Sequence, residues 1–351
     1  MADPKRIRVE APGGSYEIFI EPGLRDRLDE RVTGLAVGEP VVVATNTTLR
    51  PLYGDRLAAA LPNASVVTMP DGEQYKTLDT VAKLYADFVD AGLNRTGTVI
   101  ALGGGVVGDT VGFAAATYMR GVRLVQMPTS LLAMADSSVG GKVGIDLPQG
   151  KNLVGAFKQP EVVLVDTEVL QTLPEREWRC GMAEVIKHGL LADPVLLEMA
   201  QNGNFDDLPE FVRRTIQVKV DVVQADPFER GMRAHLNLGH TFAHAIERVS
   251  GYAWPHGEAV GVGLLAAARL SYLLGMCDAS LPEQVERLLA AVGLPARLGD
   301  MDSEAIYAAM GTDKKWQAGQ SRFVLLRGVG QPEIVKNAPP ESVIEVLTSL
   351  K

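Results

Sequence analysis

Histidines are concentrated in one short stretch of this sequence, residues 233–258, which reads RAHLNLGHTFAHAIERVSGYAWPHGE. The chain has five histidines, and the four in this stretch are His235, His240, His244 and His256. His240 and His244 are four residues apart, so a helix over residues 236–249, which the apolar spacing predicts, would place both imidazoles on one face. His256 follows a break at Gly251 and Pro255, and it is predicted to stand at or near the start of the next helix.

This clustering indicates a metal site or an acid/base site. Imidazole nitrogen suits Zn²⁺, and a catalytic zinc often takes two histidines and one glutamate and keeps one position open. The acidic ligand could be Glu247, Glu258 or a more distant residue. A single histidine among apolar residues is more often a core or helix-end group, so it is the cluster that favours chemistry.

A glycine-rich turn between a predicted strand and a predicted helix is the second candidate site. Gly103, Gly105 and Gly108 satisfy G-x-G-x-x-G in the strand-turn-helix context where glycine lets the backbone approach a pyrophosphate. The acidic residue expected about 20 positions further on is missing. The turn is therefore either a dinucleotide site of a non-standard kind or a packing feature, in which Asp109 is the natural N-cap of the helix.

A third segment, residues 135–157, places Lys142, Lys151 and Asn152 among five glycines. Lysines on glycine-rich backbone can hold phosphate or carboxylate, although solvated loop lysines are the plainer interpretation of each one alone. Residues 144–152 superficially resemble a nucleoside-triphosphate loop. They contain one residue too many and lack the Ser/Thr that holds Mg²⁺, which excludes that chemistry.

The secondary-structure elements predicted to position these residues follow one pattern in the first half of the chain and another in the second half. In the first half, short apolar strands alternate with helices, which predicts a parallel sheet covered on both faces, whereas the second half is mainly helical. The predicted boundary lies near residues 172–174. The predicted strands cover residues 7–9, 16–20, 41–45, 66–69, 98–102, 123–127, 162–165, 322–326 and 333–335. The predicted helices cover residues 23–32, 49–61, 78–91, 109–119, 175–191, 195–201, 208–223, 236–249, 258–274, 282–292 and 303–310.

Composition narrows the class of protein. The chain has 351 residues, 46% of them hydrophobic and 22% charged, which is typical of a well-cored globular protein with room for two domains. A net charge of −9 argues against a nucleic-acid surface, so an anionic substrate must be held by local lysines and arginines. Cys180 and Cys277 predict no disulfide framework, and with no export signal or apolar run of about 18 residues we expect a cytoplasmic protein outside the membrane.

Eight ordered motifs span nearly the whole chain. They are DGEQYK at 71–76, GGGVVGD at 103–109, ADSSVGGK at 135–142, GKNLVGAF at 150–157, GMAEVIKHG at 181–189, LNLGHTFAHAIE at 236–247, HGEAV at 256–260 and DKK at 313–315. Together they resemble the 3-dehydroquinate synthase family, sugar-phosphate cyclases of the shikimate pathway of aromatic amino acid biosynthesis. That family is distantly similar to metal-dependent polyol dehydrogenases, which accounts for a non-standard dinucleotide turn.

The resemblance implies a zinc ion, replaceable by Co²⁺, held by Glu184, His240 and His256. The acidic ligand implied is therefore Glu184, which is distant in sequence from the histidines. Spacing alone instead pairs His240 with His244 as ligands. The substrate residues implied are Lys142, Asn152, Arg233, Asn237, His244 and one of Lys314 or Lys315. Lys187 and Lys219 would serve the carboxylate and hydroxyl end, Arg120 would reach a partner subunit's site in a homodimer, and Asp136, Lys151 and Glu229 complete the set.

The resemblance also implies NAD as cofactor in residues 1–173, an α/β domain with a Rossmann-like parallel sheet. Residues 174–351 would form a mainly α-helical domain that binds zinc and substrate. The cofactor-binding residues implied are Asp71, Glu73, Lys76, Gly104, Gly105, Val106, Gly108, Asp109, Thr129, Ser130, Lys142, Lys151 and Thr172. Two positions depart from the family pattern: Ala243 stands where glycine is usual, and Pro227-Phe228 interrupts a usually acidic run.

The implied reaction converts 3-deoxy-D-arabino-heptulosonate 7-phosphate to 3-dehydroquinate and phosphate, which makes the enzyme a phosphorus–oxygen lyase. Within enzymes, the alternatives are a related cyclase acting on sedoheptulose 7-phosphate and a metal-dependent polyol dehydrogenase. The pattern at Asn237 and His244 speaks against the first. A polyol dehydrogenase would leave the lysines of residues 135–157 with no anionic substrate group to bind. A catalytically inactive dinucleotide-binding or interaction protein is disfavoured, because every implied zinc-ligand position is filled.

Overall fold

The computed structural model of the chain describes residues 5–12, 14–26, 28, 38–229, 231–311 and 321–351. The chain divides into two units, one of Met1–Leu173 with Leu208–Ile216 and the other of Pro174–Asp207 with Gln217–Lys351. The segment 208–216 joins the first unit instead of continuing the second. Lys5 shows why, since its Nζ lies 2.9 Å from Glu210 Oε2 and ties this segment to the N-terminal strand. Five of the ten residues of the predicted helix over 23–32 lie outside the described residues, and Leu24–Asp26 forms a short 3-10 helix.

The first unit is built on a seven-stranded sheet in the order β1-β2-β9-β6-β5-β3-β4. All neighbouring strands are parallel except the antiparallel β1–β2 pair, which confirms the predicted sheet. Val, Ile and Leu fill the central strands, whose residues are buried on both faces. The strands are β1 (Lys5–Ala11), β2 (Gly14–Ile20), β3 (Val41–Asn46), β4 (Ala64–Met69), β5 (Thr98–Gly103), β6 (Arg123–Pro128) and β9 (Val162–Val165).

Helices α1 (Asp55–Ala59), α2 (Leu78–Asp90) and α3 (Gly105–Thr117) belong to this unit. The predicted helix over 49–61 is shorter than expected, because a π-helical turn, Arg50–Gly54, precedes α1. Helix α3 begins four residues before the predicted start, since Gly105, not Asp109, opens it. Its end at Thr117 is followed by Met119 and Arg120 with positive φ angles of 50° and 66°.

A β-hairpin that the sequence did not predict lies between β6 and β9. Strands β7 (Lys142–Leu147) and β8 (Gly150–Phe157) pair antiparallel and pack on α3, where Val143 and Ile145 join the core of Val107 and Val111. The glycines of this segment hid the alternation of apolar residues from which strands are recognised. A π-helical turn, Ala133–Ser137, precedes the hairpin.

The second unit is mainly helical, as predicted, with one antiparallel strand pair, β10 (Arg322–Leu326) and β11 (Pro332–Lys336). The helix at the C-terminal end was not predicted, and the helix over 208–225 has its first half in the other unit. None of the described helices is long and apolar enough to cross a membrane. The helices are α4 (Glu175–Leu191), α5 (Pro194–Asn202), α6 (Leu208–Ala225), α7 (His240–Val249), α8 (His256–Leu273), α9 (Ser280–Ala291), α10 (Ser303–Met310) and α11 (Pro340–Ser349).

Two glycines of α8 bring three helices close together. A Cβ at Gly263 would lie 2.3 Å from the Gly239 carbonyl oxygen, just before α7 begins. A Cβ at Gly257 would lie 2.3 Å from the backbone of Cys180 on α4. Helix α8 therefore packs directly on the backbones of α7 and α4, which places the first residues of α7 and α8 beside the middle of α4.

Candidate functional site

Three ligand atoms from three different helices of the second unit converge on one point. Glu184 lies in the middle of α4, while His240 and His256 are the first residues of α7 and α8. One oxygen or nitrogen from each of these side chains lies within 4.8 Å of the others. Glu184 Oε1 is 3.6 Å from His240 Nε2 and 4.0 Å from His256 Nε2. The arrangement is a two-histidine, one-glutamate set of the kind that suits Zn²⁺.

The glutamate of this set has an oxygen that the described residues leave unsatisfied. Glu184 is 1% exposed, and its Oε1 makes no hydrogen bond within the part of the chain that the structure describes. Its other oxygen, Oε2, is paired with the buried Lys187 ammonium group. Leaving a carboxylate oxygen buried without a partner is costly, so the residues fit a cation at the point which Oε1 faces.

Both histidines have the ring nitrogen on the far side engaged. The His240 Nδ1 lies 3.1 Å from the Leu238 carbonyl oxygen, and the His256 Nδ1 lies 3.4 Å from Glu247 Oε2. Carbonyl and carboxylate oxygens only accept hydrogen bonds, so both Nδ1 atoms must carry the proton. The Nε2 atoms then keep the lone pairs with which a neutral imidazole binds a metal.

His244 shares a face of α7 with His240 but does not belong to the converging group. Its ring centroid lies 5.7 Å from that of His240 and 6.3 Å from that of His256. The structure thus brings together Glu184, His240 and His256, not the pair suggested by four-residue spacing. Glu258, another candidate acid, pairs with Arg176 at 2.8 Å.

In the first unit, a buried lysine links two of the predicted site segments. Lys76 Nζ lies 2.6 Å from Asp109 Oδ2 and donates a hydrogen bond to Asn152 Oδ1 at 2.7 Å. Burial lowers the pKa of Lys76, but attraction to Asp109 and Glu73 outweighs it and holds this pKa above the ordinary lysine value. The prediction that Asp109 caps α3 was wrong, because the residue lies inside the helix and its carboxylate serves Lys76 instead.

Asn152 is held by a residue that the sequence did not single out. Asp146 Oδ1 accepts a hydrogen bond from the Asn152 backbone amide at 2.7 Å, and the Asp146 amide donates to the Lys76 carbonyl at 2.8 Å. Asn152 has a φ of 52°, a left-handed conformation that asparagine tolerates better than most residues. Asp146 thereby joins Lys76 and Asn152 into one local network.

Most predicted dinucleotide residues lie at the carboxyl edge of the parallel sheet, where α/β proteins commonly bind ligands. Gly104, Gly105, Val106 and Gly108 form the turn after β5 and the start of α3, and Thr129 and Ser130 follow β6. The Thr129 amide donates to the Gly103 carbonyl at 3.0 Å, which fixes these two loops to each other. The first turn of α3 leaves backbone amides that can receive an anion.

The remaining residues of this edge are held by side chains. Asp71 accepts hydrogen bonds from Asn46 at 2.8 Å and Thr48 at 2.7 Å, two residues that the sequence analysis missed. Lys151 Nζ lies 3.5 Å from Glu73, and the Thr172 and Tyr53 hydroxyls are hydrogen-bonded. Of the other implied residues of this unit, Asp136 lies in the π-helical turn before the hairpin, Lys142 is exposed at the start of β7, and Arg120 is exposed after α3. Lys314 and Lys315 lie outside the described residues.

Family models of the two halves of one enzyme match this chain in sequence order. The 3-dehydroquinate synthase N-terminal model matches residues 66–180, and the C-terminal model matches residues 181–316. The chain belongs to the 3-dehydroquinate synthase family. It is 43% identical over 359 residues to a 3-dehydroquinate synthase of Nostoc punctiforme, covering 98% of this chain and 99% of that protein. It is 44% identical over 349 residues to one of Halorhodospira halophila, covering 97% and 98%.

Solved structures of two other synthases share this fold. A 2-deoxy-scyllo-inosose synthase complexed with carbaglucose-6-phosphate, NAD⁺ and Co²⁺ matches with a TM-score of 0.88 and 24% sequence identity. The match covers 99% of this chain and 100% of that one. ValA, a 2-epi-5-epi-valiolone synthase of Streptomyces hygroscopicus with NAD⁺ and Zn²⁺ bound, matches with a TM-score of 0.87 and 26% identity over 95% and 96%. The predicted fold class is confirmed.

The loop before α7 departs from the family pattern at Pro227, yet it holds Arg233 firmly. Arg233 is 3% exposed and donates from Nη1 to the Pro227 carbonyl at 2.7 Å. Asp226 Oδ2 accepts hydrogen bonds from the backbone amides of Gly231 at 2.7 Å and Arg233 at 3.1 Å. Because proline lacks a backbone N–H but keeps its carbonyl, Pro227 can still accept the hydrogen bond from Arg233. Asp226 is a further residue of the loop that the sequence analysis did not name.

The structure also places Asn237, Lys219 and Ala243 in the second unit. Asn237 Nδ2 donates to Glu229 Oε1 at 3.3 Å and to the Ala234 carbonyl at 3.1 Å. Lys219 lies on α6 and is buried, with 6% exposure. Ala243, the other departure from the family pattern, is fully buried in α7, one residue before His244.

Proposed function

We propose that this chain is a 3-dehydroquinate synthase that converts 3-deoxy-D-arabino-heptulosonate 7-phosphate to 3-dehydroquinate and phosphate. The observation that carries the proposal is the convergence of Glu184 Oε1 with the Nε2 atoms of His240 and His256. The overall reaction oxidises C5 transiently, eliminates phosphate, reduces C5 again, and closes the carbocycle by an intramolecular aldol step.

Glu184, His240 and His256 would hold a Zn²⁺ ion, which Co²⁺ can replace. When bound, the metal supplies Lewis-acid polarisation of a substrate hydroxyl, lowering its pKa. Lys187 occupies Glu184 Oε2 and so directs Oε1 towards the two histidines. Lys187 and Lys219 would also receive the carboxylate and hydroxyl end of the substrate, where two buried ammonium groups gain most from an anionic partner.

The carboxyl edge of the sheet would hold NAD, which supplies reversible hydride acceptance when bound. The amides of Gly104, Gly105 and Val106 at the start of α3 suit its pyrophosphate. Thr129 and Ser130 flank this turn, and Asp109 anchors Lys76 beside it. The other residues proposed for this cofactor are Asp71, Glu73, Gly108, Lys142, Lys151 and Thr172.

The phosphate of the substrate needs cationic groups, since the chain as a whole carries a charge of −9. Lys142, Asn152, Arg233 and one of Lys314 or Lys315 would bind it, with Asp136 and Glu229 completing the surroundings. The leaving phosphate can itself accept the proton at C6 because it lies next to the carbon. His244 would then move protons at the hydroxyl oxygens, and Asn237 would hold those oxygens in place by hydrogen bonds.

We propose a cytoplasmic homodimer in which Arg120 of each protomer reaches the substrate site of its partner. Arg120 is exposed and follows the exposed Met119 in a left-handed turn after α3, which supports a role outside the chain's own core. The two cysteines are free thiols, as expected in a reducing compartment. Light scattering combined with size-exclusion chromatography tests the dimer, and a monomer at assay concentration contradicts it.

The deciding experiment measures phosphate release and NADH absorbance together. The chain, loaded with Zn²⁺ and given heptulosonate 7-phosphate and a small amount of NAD⁺, should release many phosphates per NAD⁺ without NADH build-up. One NADH formed per product indicates a polyol dehydrogenase instead. Cyclisation of sedoheptulose 7-phosphate in preference to the heptulosonate assigns the chain to the related cyclases.

A further inference from the structure

Glu247 is a buried carboxylate beside the metal-site histidines. It lies in the last turn of α7, is 2% exposed, and places Oε2 at 3.4 Å from His256 Nδ1. No role was assigned to it by the family resemblance, and it is not one of the three converging ligands. A buried carboxylate needs hydrogen bonds to offset its lost hydration, and the His256 ring supplies one.

This contact determines which nitrogen of His256 is available. A carboxylate can only accept, so the bond requires the proton on Nδ1 and leaves the lone pair on Nε2. Nε2 is the atom that lies 4.0 Å from Glu184 Oε1. The bond also fixes the rotation of the ring, because both the Nδ1 and Nε2 directions are then defined.

The backbone of Glu247 holds the turn that carries His256. Its carbonyl accepts a hydrogen bond from the Tyr252 amide at 2.7 Å and another from the Ser250 hydroxyl at 2.9 Å. One residue therefore ties the turn between α7 and α8 through its carbonyl and orients the first residue of α8 through its carboxylate. The other histidine, His240, depends on a backbone carbonyl, that of Leu238, which substitution does not remove.

We propose that Glu247 is a positioning residue for the metal site, one that holds His256 in the Nδ1–H tautomer with Nε2 facing the metal position. The inference rests on the proposed function, because it concerns the same metal. A charged acceptor behind an imidazole makes the opposite nitrogen a better ligand, and loss of such a partner typically costs about 10- to 100-fold in metal affinity.

The first test measures Zn²⁺ affinity by competition with a chromogenic chelator for the wild-type chain, Glu247→Gln and Glu247→Ala. We expect a loss of about 10- to 100-fold in Glu247→Ala and a smaller loss in Glu247→Gln, whose amide oxygen still accepts. Glu258→Gln is the matched control, because Glu258 lies two residues from His256 but pairs with Arg176. Unchanged affinity in Glu247→Ala, or an equal loss in Glu258→Gln, overturns the proposal.

The second test needs no metal and remains decisive if a variant is unstable. Long-range ¹H–¹⁵N spectra of metal-free, ¹⁵N-histidine-labelled chain report the tautomer of each ring, with the His256 signal assigned from His256→Asn. The wild-type His256 should be the Nδ1–H tautomer, and Glu247→Ala, which removes the acceptor, should shift it towards Nε2–H. An Nε2–H tautomer in the wild-type chain overturns the inference. If the wild-type chain shows the expected tautomer but binds no Zn²⁺, the proposed function is contradicted. The contact between Glu247 and His256 is then still supported.

Discussion

At the scale of single residues, the candidate ligands are each held by a different kind of partner. Lys187 occupies one oxygen of Glu184, a backbone carbonyl orients His240, and a carboxylate orients His256. Glu184 Oε1 is buried and accepts no hydrogen bond from any residue that the structure describes. A cation is the partner that would satisfy all three ligand atoms together.

Metal removal should therefore abolish turnover. Dialysis against a strong chelator is expected to eliminate phosphate release, and one equivalent of Zn²⁺ or Co²⁺ per chain should restore it. The metal content is measured by elemental analysis beside the assay. Full activity in a preparation shown to be metal-free would contradict the ligand assignment.

His244 should be separable from the ligands by substitution. We expect His244→Ala to lose about 10²- to 10⁴-fold in kcat, the usual contribution of a proton-transferring side chain, while it still binds one Zn²⁺ per chain. His240→Ala should lose the metal itself. Equal loss of Zn²⁺ in both variants, measured by the same competition assay, would show that the spacing-based pairing of His240 with His244 was right.

At the scale of elements, close helix packing positions the three candidate metal ligands. Helix α8 passes so near the start of α7 that only glycine fits at position 263, whereas position 261 on the same helix is less crowded. Packing rather than helix propensity decides this geometry, because glycine in a helix interior is intrinsically unfavourable.

Gly263→Ala should separate α8 from α7. Its Cβ would lie 2.3 Å from the Gly239 carbonyl oxygen, and such overpacking typically costs about 1–3 kcal/mol. We expect a lower free energy of unfolding together with weaker Zn²⁺ binding. Gly261→Ala is the control, since its nearest atom would lie 3.4 Å away. Wild-type Zn²⁺ affinity in Gly263→Ala would mean that this contact does not position the ligands.

At the scale of the whole molecule, the chain leaves the first unit at Leu173 and returns to it at Leu208–Ile216. Glu210 anchors this return, since its carboxylate contacts Lys5 at 2.9 Å and Arg213 at 2.8 Å. Hydrogen bonds from Arg213 and Lys5 lower the pKa of Glu210 from 4.5 to about 2. The lowered pKa identifies these ion pairs as stabilising.

The contribution of Glu210 should depend on pH in a defined direction. Because the folded-state pKa is depressed, the stabilisation is complete above about pH 4.5 and is lost as the pH falls towards 2. Glu210→Gln should cost about 2 kcal/mol at pH 7, allowing for partial solvent screening, and progressively less in acid. Urea unfolding at several pH values measures this, with Glu283→Gln, whose carboxylate lies in an exposed pair with Arg287, as control. A cost independent of pH would refute the electrostatic explanation.

Local patterns in the sequence were sufficient for most elements. Strand β9, helices α4 and α10 and strand β10 have the predicted bounds, because each is a strongly periodic or continuously apolar run bounded by clear breaks. The hairpin of β7 and β8 escaped prediction because its glycines obscure the period. Helix α11 was not anticipated either, and the position of Asp109 was misjudged because an N-cap and a buried ion-pair partner look alike in sequence.

What tertiary structure alone decided is which distant residues meet. Four-residue spacing on α7 offers His244 as the companion of His240, and the family resemblance offered Glu184 and His256 without a physical reason. The reason lies in the contacts of Gly257 with α4 and Gly263 with the start of α7, which bring three helices to one point. Spacing within a helix determines which side chains share a face, but only packing between helices determines which faces meet.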